Sequence, residues 1–222
     1  MADQKLERRA FAQKAEVRTN DAGIKTVTGH AAVFNRTSLP IYGMFYEINE
    51  PGCFREALMK DSTIVQAVYA HNDATIPFAV FRGGGKPGSM ILREDEVGLY
   101  CEYEPLDSEM GRSLIKSIER GDTDGMSYSF IPLDEDWREM YNGLPLRRIL
   151  KADIFDTTAT PNPAFPSTDI SVRKQNNSLE MELKDYANLI ESRSGKHISE
   201  AESYLIANEL RRRQLQLLRL TL

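Results

Sequence analysis

The chain has 222 residues, of which 41% are hydrophobic and 27% charged, with a formal net charge of −5. This composition suits an ordinary soluble protein with one sizeable core plus an appendage, and no run approaches the roughly 20 apolar residues of a membrane-spanning helix. The negative balance weighs against a nucleic-acid backbone as the main partner, with "LRRRQLQLLRL" near the C-terminus as a local basic exception.

The first segment, "MADQKLERRAFAQKAEV", has no continuous hydrophobic centre of the secretory kind, so function inside a cell is expected. From Phe11 to Val17 and from Ile24 to Phe34 the alternation predicts two strands joined as a hairpin at "TNDAG". "EPGCFREALMK" predicts a short helix from about Cys53 to Lys60, with Phe54, Ala57 and Leu58 on one face. "TIVQAVYAH" reads as a strand that ends in His71. "PFAVFR", "SMILRED" and "GLYCEYEPL" supply three further strands, and Gly83 to Gly85 are read as a hairpin turn, since no Lys-Ser/Thr pair follows as in a phosphate loop.

In "PLDSEMGRSLIKSIERGDTDG", Met110, Leu114, Ile115 and Ile118 recur at helical spacing behind Asp107 or Ser108 as the cap, and the helix stops at Gly121. "GMSYSFIPLDEDW" is another strand, and "LPLRRILKADIFDTTATP" begins as a strand and runs into a proline-rich stretch. The expected plan is a compact domain over residues 1–173 and a helical tail over 174–222. Within the tail, Leu179 to Ser192 forms one helix and a second begins at Ser199, with Glu202 in capping-box position.

Metal and disulfide chemistry find no support in the spacing. Cys53 and Cys101 lie far apart with no CxxC pair, and His30, His71 and His197 form neither HxH nor HxxxH, so both thiols are read as packing residues and a zinc site is set aside. Glu94 to Glu96 and Asp134 to Asp136 read as solvated turns, and His30 as a structural imidazole. Ser127 follows Gly125 at the start of an apolar strand. As a nucleophile it needs a base, for which His71 is the best candidate, and the imidazole needs an acceptor, for which Asp153 and Asp156 are available. The plainer alternative makes Ser127 and Ser129 the polar face of an edge strand.

"GHAAVFN" (Gly29 to Asn35), "VQAVYAHN" (Val65 to Asn72) and "GMSYSF" (Gly125 to Phe130) with "ADIFDTTATPNPAFPST" (Ala152 to Thr168) together resemble the prohead protease family of tailed phages, distantly similar in fold to herpesvirus assemblins. The resemblance covers about Arg9 to Arg173. It implies an α+β fold, mostly an antiparallel β-barrel flanked by helices, and a serine endopeptidase with Ser127 as nucleophile, His71 as general base and Asp156 as the acidic residue. Asp153 stands as the fallback for the third role, and Ser129, where relatives tend to carry glycine, as the rival hydroxyl. No cofactor is implied, and Arg147 and Arg148 are candidate oxyanion donors.

The implied partners are the major capsid protein and scaffold segments as substrates, with self-association, no membrane and no specific nucleic acid. The implied place is the host cytoplasm, inside the immature prohead. The tail would then be a packaging or self-cleaved segment, with Leu205, Leu210, Leu215 and Leu218 among its contacts. The competing reading is a non-catalytic scaffold or capsid-assembly module on the same fold.

Overall fold

A computed structural model describes residues 6–11, 14–160, 187–188, 190–193, 195 and 199. Chain contacts divide it into two compact units, one of Met1–Arg36, Ile48–Glu135 and Ile149–Pro166, the other of Thr37–Glu47, Asp136–Arg148 and Ser167–Leu222. The expected boundary at Arg173, His197 and most of the tail lie outside the described residues. Residues 187, 188 and 190–193 are helical, all but the last within the first expected tail helix.

Ten strands and two helices follow in order: β1 (Glu7–Phe11), β2 (Glu16–Thr19), β3 (Lys25–Val33), β4 (Tyr46–Asn49), α1 (Arg55–Met59), β5 (Ile64–Ala67), β6 (Ala79–Arg82), β7 (Met90–Glu94), β8 (Gly98–Tyr103), α2 (Glu109–Arg120), β9 (Gly125–Tyr141) and β10 (Leu144–Thr160). The fold is strand-rich α+β. One sheet has the order β1-β9-β10-β5-β6, with β4 also paired to β10, and the other has β2-β3-β8-β7. The implied β-barrel is therefore corrected: among the described residues the strands form two sheets with no hydrogen-bonded closure into one barrel. The pairing is also not wholly antiparallel, because β10 and β5 run parallel through Asp156↔Gln66 and Thr157↔Ala67.

Local chemistry explains most of these elements. The "TNDAG" hairpin joins β2 to β3, with Asn20 Oδ1 accepting from the Ala22 and Ile24 amides and Gly23 in the left-handed region. The segment before it is split, because β1 pairs with β9 in the other sheet. Helix α2 starts where Ser108 Oγ accepts from the Gly111 amide and stops at left-handed Gly121, burying Leu114 and Ile118 and leaving Met110 exposed. Asn142 and Gly143, both at positive φ, close the long β9–β10 hairpin.

Gly83 to Gly85 do not close a hairpin. They connect β6 in one sheet to β7 in the other, and the Gly83 and Gly84 amides donate to Thr63 O and Leu58 O. A side chain at Gly83 would come within 2.2 Å of Lys60 O, so these glycines allow close approach to the turn after α1. Glu94, expected in a solvated turn, accepts from the Phe54 amide at 2.9 Å and so caps the start of α1.

In the first unit one apolar cluster draws on both sheets and both helices: Val27, Leu99 and Cys101 from one sheet, Met126, Tyr128, Phe130 and Ile154 from the other, with Ala57, Leu114 and Ile118. Gly29 on β3 lies where a Cβ would sit 3.1 Å from Met126 Cγ, which lets the two sheets approach beside Ser127. Cys53 and Cys101 are buried free thiols, and burial pushes the Cys101 thiol up to about 12. In the second unit the buried Arg147–Glu47 pair, 3.0 Å, lies beside Phe45 and Trp137.

The β3–β8 register makes a direct prediction. A methyl at Gly98 would sit 2.0 Å from Ala32 O, backbone that cannot yield without disturbing the bulge between His30 and Ala32. Gly98→Ala is expected to destabilise the chain by about 2 kcal/mol or more in urea unfolding. An unchanged midpoint would show that this register is wrong.

Candidate active site

On β9 the side chains alternate. Met126, Tyr128 and Phe130 enter the apolar cluster, so Ser127 and Ser129 share the opposite face. That face is buried as well, with Ser127 at 2% and Ser129 at 0% exposure, and β9 lies between β1 and β10. The edge-strand reading of these serines is thereby excluded.

His71 is not on a strand. β5 stops at Ala67, and the chain turns through Tyr69–Asn72, where the Asn72 amide donates to Tyr69 O. Ala70 and His71 both adopt positive φ, 51° and 55°, a conformation that costs non-glycine residues roughly 1–3 kcal/mol each. The neighbouring strand holds them there: Val68 N donates to Thr157 O, and Ala70 N donates to Thr158 Oγ1 at 3.2 Å. Because β5 and β10 are parallel neighbours, this turn leaves the imidazole beside Asp156.

The three side chains make one chain of contacts. His71 Nδ1 lies 2.5 Å from Asp156 Oδ1, and His71 Nε2 lies 2.7 Å from Ser127 Oγ. A carboxylate only accepts, so Nδ1 carries the hydrogen and Nε2 turns its lone pair to the hydroxyl. The imidazole is fully buried. Ser129 Oγ is 3.1 Å from Nδ1, the nitrogen already engaged by Asp156. The geometry thus separates the two serines, because only Ser127 faces the nitrogen able to take a proton.

The two carboxylates on β10 are separated by their contacts: Asp156 meets His71 Nδ1, and Asp153 does not share that partner. Asp153 instead pairs with Lys60 Nζ at 2.6 Å, both side chains partly exposed. Two contributors had no sequence signal: Thr158, which holds the Ala70 amide, and the Arg9 carbonyl, which accepts from Ser127 Oγ at 2.8 Å. Both depend on strand neighbours distant in the chain.

The sequence profile of the family described as Caudovirus prohead serine protease matches residues 13–182 of this chain. The chain belongs to that family. A search of curated proteins gave no match. Among solved structures, the bacteriophage T4 capsid assembly protease is similar at a TM-score of 0.46 and 10% identity, over 72% of this chain and 100% of that one.

In this prohead serine protease family member the remaining candidates have other partners. Arg147 pairs with Glu47, and Arg148 with Glu139 at 2.8 Å, all within the second unit. His30 on β3 contacts both oxygens of Asp95 at 3.0 Å and packs edge-on against Tyr100, as a structural imidazole would. Burial pushes the Asp95 carboxyl up, but the hydrogen bonds from His30, Gly98 and Val97 outweigh it and leave the pKa below the usual carboxylate value.

A group depressed in the folded state stabilises the fold above its unfolded pKa, near ~3.9, and loses that contribution as pH falls through the folded value. Stability measured by urea unfolding is therefore expected to drop more between neutral and acid pH in the unmodified chain than in Asp95→Asn. Equal drops would show that Asp95 contributes nothing to acid sensitivity.

Proposed function

We propose that the chain is a serine endopeptidase in which Ser127 is the nucleophile, His71 the general base and Asp156 the residue that fixes the imidazole. One observation carries the reading: a single buried imidazole contacts a serine hydroxyl through Nε2 and a carboxylate through Nδ1. A serine hydroxyl reacts near neutral pH only when a base removes its proton, and histidine performs this best with its tautomer held.

The reaction is acyl transfer. As Ser127 Oγ attacks a peptide carbonyl carbon, its proton moves to His71 Nε2, and Asp156 stabilises the imidazolium through Nδ1–H. His71 then gives the proton to the departing amine, and the C–N bond breaks to leave an ester on Ser127. Water, deprotonated by His71, attacks the ester and releases the acid product.

Family membership directs the substrate reading. A prohead serine protease acts on the proteins of an assembling shell, so the substrates proposed are segments of the major capsid protein and scaffold, cut inside the immature particle in the host cell. Residues 1–173 form the protease domain in this account. Residues 174–222 are a packaging arm that self-cleavage removes.

Co-expression with the matching capsid protein tests the assignment. Ser127→Ala and His71→Ala are expected to lower the cleavage rate by about 10³-fold or more, and Asp156→Asn by a comparable factor, while Asp153→Asn and Ser129→Ala retain most activity. Capsid protein of the same mass with Ser127→Ala as with the unmodified chain would favour a non-catalytic assembly module instead. Loss of cleavage in Asp153→Asn but not Asp156→Asn would move the third role to Asp153.

A further inference from the structure

The hydroxyl of Ser127 lies against two groups that can accept its one proton: His71 Nε2 at 2.7 Å and the backbone carbonyl of Arg9 at 2.8 Å. A carbonyl can only accept, so the contact with Arg9 directs the proton away from the base. Arg9 belongs to β1, a strand of five residues at the end of its sheet, paired to β9 with Ala10 directly across from Ser127. With β1 in place Ser127 is 2% exposed and the imidazole is fully buried, so no external carbonyl carbon can reach Oγ.

None of the side chains of Glu7 to Ala10 on β1 joins the apolar cluster, and the same holds for β2 and β4. Its contacts include a buried Arg9–Glu7 ion pair and Arg9 above the Phe130 ring at 5.5 Å. Buried ion pairs add little net stability, because desolvation offsets most of their attraction. Arg8 Nε is buried with no hydrogen-bond partner among the described residues, which disfavours the seated strand further. Arg8 also reaches the His71 carbonyl at 3.5 Å, so β1 touches both the nucleophile and the turn that carries the base.

We propose, on the footing of the peptidase reading, that β1 occupies the substrate's place: it is an exchangeable strand that leaves β9, and an extended polypeptide adds antiparallel to the vacated edge. The incoming segment presents a backbone carbonyl where Arg9 now presents its own. Main-chain hydrogen bonds to β9 supply the affinity, as in other strand additions. While β1 is seated the enzyme is idle, and substrate must compete with it.

Full-length chains, unmodified or carrying Ala10→Pro or Glu7→Gln, test this by the rate at which a fluorophosphonate probe labels Ser127, read by mass spectrometry against a Ser127→Ala blank. Proline at Ala10 removes a backbone donor beside Ser127 and places a ring in the β1–β9 ladder, and Glu7→Gln takes the charge partner from Arg9. Labelling is expected to rise about tenfold or more in Ala10→Pro, as loss of one or two net hydrogen bonds would give, and by less in Glu7→Gln. Hydrogen exchange at residues 126–130 should quicken in parallel.

Equal labelling rates in the unmodified and variant chains, all folded by circular dichroism, overturn strand exchange and leave the nucleophile assignment standing. Faster exchange in β9 without labelling in any chain overturns the nucleophile assignment, and strand exchange with it. If Ala10→Pro does not fold, Glu7→Gln decides by the same comparison.

Discussion

An imidazole clamped from both sides is the contact on which the proposed chemistry depends. His71 brings nothing of its own to the position; it sits in a two-residue left-handed turn that L-residues avoid. What holds it there is β10, which supplies a carbonyl at Thr157, a hydroxyl at Thr158 and a carboxylate at Asp156 within three consecutive residues. β9 then closes the other side with Ser127. Strain of this kind persists only where surrounding contacts over-determine the backbone, and it is commonest at functional sites.

The sheets around the site make that clamp rigid. Parallel pairing of β5 with β10 sets the turn against Asp156, and the alternation of β9 places three large apolar side chains in the core so that the two serines must face the other way. Gly29 on β3 allows Met126 to sit close against that strand, which brings β9, the strand carrying Ser127, near the other sheet. A residue far from the chemistry thereby takes part in its geometry. The seated β1 strand has the opposite character, since it is short, charged and at a sheet end, which is why it is the element proposed to move.

Much of this was legible in the residues, for identifiable reasons. Helix α2 carries its own punctuation in Ser108 and Gly121, and the β2–β3 hairpin in Asn20 and Gly23, so both follow from local chemistry. The motif resemblance named Ser127, His71 and Asp156 together. Partners of strands leave no such local trace. The alternating stretch from Phe11 to Val17 reads as one strand, although it is shared by β1 and β2 of different sheets. The Gly83 to Gly85 turn reads as a hairpin for the same reason. The difference between Asp153 and Asp156 lies in their partners across the fold, Lys60 and His71, and the Arg9 carbonyl is a backbone atom that no side-chain pattern discloses.

Proton NMR of the full-length chain with nitrogen-labelled histidine measures the central contact most directly, since an imidazole N–H held by a carboxylate resonates far downfield and exchanges slowly with water. The account predicts a downfield Nδ1–H signal assigned to His71 by its loss in His71→Ala, lost also in Asp156→Asn and retained in Asp153→Asn. A His71 ring with its proton on Nε2 alone, or an Nδ1–H signal indifferent to Asp156→Asn, would contradict it.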